Sequence, residues 1–153
     1  MTLSISSPGF QEGERIPSKY TCQGQDISPQ LDWGGVPKEA KSLALIMDDP
    51  DAPGGIFTHW VIFNIPPDSL KLPEAVSNEP QLPGSAQQGS NDGGGIGYYG
   101  PCPPPGRPHR YLFTIYTLDK ELDLKAGASK GQLLKAMEGQ ILNQARLTGT
   151  YQR

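Results

Sequence analysis

The chain has 153 residues, the length of one domain with one core, and 13 Lys and Arg against 16 Asp and Glu leave a net charge of −3. That balance excludes a general nucleic-acid surface, which needs clustered positive charge to displace phosphate counterions. Nineteen Gly and sixteen Pro, nearly twice their usual share, argue against a helical bundle, because proline removes an amide donor and glycine costs about 1 kcal/mol in a helix interior. A mainly β, loop-rich single domain over residues 1–153 is the expectation.

In chain order, MTLSISSPGF has neither a basic start nor an apolar run of signal-peptide length, and short strands are expected at Leu3 to Ser6 and near Tyr20. The longest aliphatic stretch, Leu43 to Met47, is far too short to cross a membrane, so a cytoplasmic protein with no integral membrane association is expected. Residues 43–47 (LALIM) form an unbroken apolar run ending in Asp48 and Asp49, which predicts a strand buried on both faces with its end at a polar rim. Residues 59–65 (HWVIFNI) predict a second strand, stopped by Pro66 and Pro67. Residues 66–92 show little periodicity. Residues 93–106 (GGGIGYYGPCPPPG) lead directly into the clearest strand, 110–118 (RYLFTIYTL), and read as an ordered loop over a site rather than a linker. In that strand Tyr111, Phe113 and Ile115 share one face, and Leu112, Tyr116 and Leu118 the other. Ser129 and Gln132 form a capping-box pattern, and Leu134, Met137, Ile141 and Ala145 continue as a stripe that predicts a helix from Lys130 to Arg146.

Both histidines of the chain open strands, and Asp49 ends another. If the three strands are neighbours in one sheet, His59, His109 and Asp49 converge at its rim. With the Tyr111 hydroxyl and the amide of Gly100 they make a set of hydrogen-bond donors, and a histidine beside a carboxylate is drawn towards its charged form. Such an inventory matches a phosphate monoester or diester better than a neutral ligand, because charge-assisted donors can share the phosphate oxygens. Alternative chemistries are weaker. Cys102 lies seven residues before His109, yet no G-x-S-x-G elbow exists and no helix N-terminus lowers the thiol pKa. His59, His109 and Asp49 as metal ligands lack any short ligand spacing, so neither metal nor cofactor is expected. Gly95, Gly97 and Gly100 spell G-x-G-x-x-G, but Pro101 follows where a dinucleotide site needs a helix.

DPDAP (Asp49 to Pro53), HWVIFNIP (His59 to Pro66) and GPCPPPGRPHRYLF (Gly100 to Phe113) together resemble the phosphatidylethanolamine-binding protein family, also called the Raf kinase inhibitor protein family. YTCQGQDISPQLDW (Tyr20 to Trp33) and the ending LTGTYQR are similar to its short bacterial and archaeal branch. The resemblance implies an antiparallel β-sandwich with a C-terminal α-helix and a small anion pocket at one end. It implies Asp49, His59, His109 and Tyr111 as pocket residues, Gly100 as a backbone donor, and Arg110 as an ion-pair partner beside the pocket. Asp51, Pro53, Phe57 and Cys102 would support it. Cys22 and Cys102 fall in the two loops that the family places near the pocket, which leaves a disulfide or two buried thiols open. The function implied is regulatory binding, without catalysis, of a phosphate-bearing small molecule, headgroup or phosphorylated partner. The alternative is inhibition of a kinase or serine protease through the surface around the pocket.

Overall fold

The computed structural model describes residues 2–153. Its strands are β1 (Ser4–Ser6), β2 (Leu31–Gly34), β3 (Ser42–Asp49), β4 (Phe57–Ile65), β5 (Lys71–Leu72), β6 (Gln87–Gln88), β7 (His109–Leu118) and β8 (Ile141–Tyr151), with one α-helix, α1 (Lys130–Met137). A three-stranded sheet in the order β1-β2-β5 packs over a five-stranded sheet in the order β6-β4-β3-β7-β8, and all pairings are antiparallel. The architecture is the expected mainly β sandwich.

The three predicted strands are neighbours at the centre of the large sheet. The unbroken apolar run of β3 has the predicted cause: Leu43, Leu45 and Met47 fill the core between the sheets, while Ala44 and Ile46 join Val61, Phe63, Leu133 and Met137 in a second core on the opposite face. On β7, Tyr111, Phe113 and Ile115 enter the first core and Leu118 the second. Each fully buried large side chain contributes roughly 1.5–3 kcal/mol. Together they fix the ends of β3, β4 and β7 at one rim.

Two expectations need correction. The α-helix stops at Met137 instead of reaching Arg146, because Gly139 turns the chain at φ +73° and an eleven-residue strand follows. The stripe was misleading: Leu134 and Ile141 are 40% and 42% exposed, whereas Leu133 and Met137 carry the buried face. Beyond Ile141 the pattern changes to period two, with Leu147, Gly149 and Tyr151 inward, and β8 pairs with β7 from end to end. Near Tyr20 the chain forms a 3-10 turn, Ser18–Tyr20, closed by the Tyr20 amide on the Pro17 carbonyl, rather than a strand. The alternation of buried Leu31 and Trp33 marks a strand, β2, that the sequence reading passed over. The capping box of Ser129 and Gln132 is present, each side chain accepting the other's backbone amide. Among the described residues no helix is long and apolar enough to cross a membrane.

Candidate functional site

A β-bulge aims His59. Met47 pairs with Trp60 and Asp48 with Thr58, so His59 is the extra residue between two successive pairs. Simple alternation would place it beside Val61 on the helix side. The bulge turns it instead to the inner face, where its ring meets Tyr111 edge-on with centroids 5.2 Å apart. Thr58 takes the outer face, and its hydroxyl donates to Asp48 at 3.0 Å.

Asp49, at the end of the central strand, is 3% exposed and uses both oxygens. Oδ2 accepts from His109 Nδ1 at 2.7 Å, and Oδ1 accepts from the Asp51 amide at 2.8 Å. A carboxylate partner requires the proton on Nδ1, which leaves Nε2 as the uncommitted nitrogen of His109. His59 is held differently: its Nδ1 donates to the carbonyl oxygen of Tyr99. A carbonyl can only accept, so this Nδ1 also carries the proton and Nε2 is again uncommitted. Burial pushes the His59 pKa below its ordinary value, outweighing the Tyr99 carbonyl and the acidic groups of Asp49, Asp48 and Asp92, so the ring is neutral at pH 7.

Tyr111 is fully buried, and its hydroxyl is the buried side-chain polar atom left without a hydrogen bond among the described residues. Burial first, then the nearby Asp49 charge, raises its pKa far above the ordinary tyrosine value, so the group remains a donor. No hydrogen bond of ordinary geometry joins it to Asp49 despite that proximity.

These four side chains line one cavity of about 200 Å³. Ala52, Pro53, Phe57 and Tyr99 form one part of its collar, and Cys102, Pro103 and Pro104 another. Phe57 packs on His59 and Tyr99 with ring centroids 4.8 and 5.5 Å away. Asp51 and Arg110 stand outside the cavity as an ion pair: Arg110 Nε and Nη2 donate to the Asp51 carboxylate at 3.0 and 2.9 Å, and the Arg110 amide adds a third bond. The Arg110 guanidinium lowers the Asp51 carboxyl to about 2.

Gly100 departs from its expected role. It does not line the cavity and lies instead against the Asp26 carboxylate. A Cβ there would sit 1.9 Å from Asp26 Oδ1, so the close approach requires glycine. Of the wall residues Cys102, Pro103 and Pro104, only Cys102 has an amide N–H, since proline has none. Cys22 and Cys102 are joined in a disulfide with Cα atoms 5.4 Å apart. It ties this wall to the segment after the 3-10 turn, helped by the Cys22 amide on the Pro101 carbonyl and the Tyr98 hydroxyl on the Tyr20 carbonyl.

Sequence reasoning missed Tyr99, Asp26 and the bulge. Tyr99 orients His59 through a backbone carbonyl, which no side-chain pattern announces, and the bulge depends on register with β3. Among the described residues no three His, Cys, Asp or Glu side chains cluster as metal ligands.

Comparison with known proteins gives the family. Residues 6–152 match the family model described as phosphatidylethanolamine-binding protein. A UPF0098 protein of Methanothermobacter thermautotrophicus is 57% identical, with 99% of each chain covered, and one of Aquifex aeolicus is 48% identical over 99% of this chain and 89% of its own. Among solved structures, a phosphatidylethanolamine-binding protein homologue of Chlamydia trachomatis superposes with a TM-score of 0.92 at 43% identity, covering 99% of this chain and 98% of its own. YbcL of E. coli, described as a member of the mammalian PEBP family, gives a TM-score of 0.92 at 31% identity, covering 100% and 99%. The chain belongs to the phosphatidylethanolamine-binding protein family, in its short prokaryotic branch.

Proposed function

We propose that this binding protein captures a phosphate-bearing group in the cavity between His59 and His109, and that it acts through that binding without turnover. The observation that carries the reading is the unpartnered Tyr111 hydroxyl, buried in the wall of a cavity faced by both imidazoles. No protein group takes up that donor, so it is free to bond an oxyanion held in the cavity. His109, backed by the Asp49 carboxylate, supplies a charge-assisted donor. Covalent chemistry has little support in the lining, because the Cys102 sulfur is committed to the disulfide and the other lining side chains offer no serine or threonine hydroxyl. The collar of Pro53, Phe57, Tyr99, Pro103 and Pro104 suits a phosphate carried on a larger body that stays outside. A headgroup, a free metabolite and a phosphorylated protein all present that chemistry.

Titration calorimetry with inorganic phosphate tests the reading. His109→Ala should remove a bond worth roughly 1.5–3 kcal/mol and weaken binding tenfold or more. Unchanged affinity in that variant refutes the assignment.

A further inference from the structure

We infer that the cavity selects a phosphomonoester bound as its singly protonated monoanion, with the one P–OH donating to Nε2 of His59 while other oxygens accept from His109 and Tyr111. The inference rests on the reading that the cavity binds phosphate, and adds which phosphate. Its basis is that the two imidazoles are not equivalent. Asp49 holds the far nitrogen of His109, so the carboxylate backs a charge-assisted bond from that ring to an anion bound at Nε2. A neutral carbonyl holds the far nitrogen of His59, which leaves its Nε2 a lone pair.

The acidic groups that face His59 are already engaged. Asp48 is paired with Lys130 at 2.7 Å and with the Thr58 hydroxyl, Asp92 accepts the Thr58 amide at 2.8 Å, and Asp49 has both oxygens in use. Asp26, on the loop beside it, lies against Gly100. Burial therefore prevails over these charges and keeps the ring neutral. Asp51, which faces His109, is itself neutralised by Arg110.

The cavity thus presents donors at His109 and Tyr111 and an acceptor at His59. A fully deprotonated phosphate sets an oxygen lone pair against the His59 lone pair, and a diester has no proton to give. A monoester, whose second pKa lies near 6, has one. Matching a buried polar group with its complement discriminates strongly against a ligand that lacks it.

The test is calorimetry of the full chain with methyl phosphate and with dimethyl phosphate at pH 8, in two buffers of different ionisation enthalpy, so that bound protons are counted. Methyl phosphate is expected to bind at least tenfold more tightly and to take up one proton more than dimethyl phosphate; the comparison cancels any proton taken by His109. At pH 5, where the ester already carries its proton, the difference in uptake should vanish. In His59→Gln, whose amide can donate, the preference should fall below about threefold. Equal affinities, or equal proton uptake by both ligands at pH 8, overturn the inference while leaving phosphate binding intact. A preference that persists in His59→Gln assigns it to shape and also overturns the inference. If neither ligand binds, the phosphate reading falls with it. Should the variant not fold, the proton count of the unaltered protein decides.

Discussion

The His109 side of the cavity and the His59 side are built from different materials. His109 opens β7 and is oriented by Asp49 on the adjoining central strand, so that whole wall belongs to the sheet. His59 also sits on a sheet strand, but the group that orients it is the Tyr99 carbonyl, in the Gly- and Pro-rich loop. That loop keeps its place through the Cys22–Cys102 disulfide, the Tyr98 hydroxyl and the Asp26–Gly100 contact. One wall is stiff because strands pair on both sides of it, and the other because it is stapled. The same difference sets the chemistry, since a carboxylate backs donation to a bound anion and a carbonyl with burial favours a neutral ring. Two identical side chains become a donor and an acceptor according to what grips the far nitrogen.

The largest effect should come from breaking the sheet-built wall. Asp49→Ala leaves the His109 Nδ1–H and the Asp51 amide without their acceptor in a buried place, and should cost about 3–5 kcal/mol of stability. Urea denaturation measures it, and a loss under about 1 kcal/mol would show that the carboxylate is not holding the rim. Breaking the stapled wall comes next. Reducing the disulfide, whose cysteines are 80 residues apart, should cost roughly 2–4 kcal/mol, the usual range for such a cross-link. The comparison sharpens here: imidazole resonances of His59 should shift on reduction more than those of His109. Equal shifts would mean that the staple serves both walls alike.

How much of this could be read from sequence follows the same division. The strands β3, β4 and β7 were legible because their apolar runs and alternation reflect burial in one sheet. The convergence of His59, His109 and Asp49 was legible because all three sit at strand ends, whereas which imidazole Asp49 holds was not. Gly100 was assigned the wrong partner, since a glycine amide in a loop can face either side, and only the position of Asp26 decides which. The direction of His59 was hidden because it depends on one residue of slippage against Met47 and Asp48. The end of α1 was misread because Leu134 and Ile141 continue the apolar spacing across Gly139 although both are exposed. Local periodicity shows what an isolated segment prefers; the ten-residue ladder with β7 decided in favour of strand.

Acid should separate the two histidines more gently. The folded pKa of His59 lies below its unfolded value of about 6.5, so the unfolded chain binds the proton more readily. The stability from a neutral buried His59 is therefore complete above pH 6.5 and is lost as pH falls towards the folded pKa. For one proton the slope is at most about 1.4 kcal/mol per pH unit. Denaturation midpoints between pH 7 and 5 should show this slope in the native chain, and His59→Gln should flatten it. An unchanged slope in that variant would move the acid sensitivity to another group.

The smallest expected change in stability is the most informative about the cavity. Tyr111→Phe removes only the hydroxyl, keeping the ring in its edge-on contact with His59. Because no protein group pairs with that oxygen, its removal should leave stability unchanged or raise it by up to about 1 kcal/mol. Phosphate affinity should move the other way, falling by about 0.5–1.5 kcal/mol as one donor is lost. The opposed signs matter, since a residue that only packs would lower both quantities and one that only bonds within the protein would lower stability first. A fall in stability beyond about 1 kcal/mol would mean that the hydroxyl is bonded in the free protein, most simply to Asp49, whose charge already raises its pKa. The His109 wall would then hold a closed network of three side chains, and the ligand would have to break into it instead of completing it.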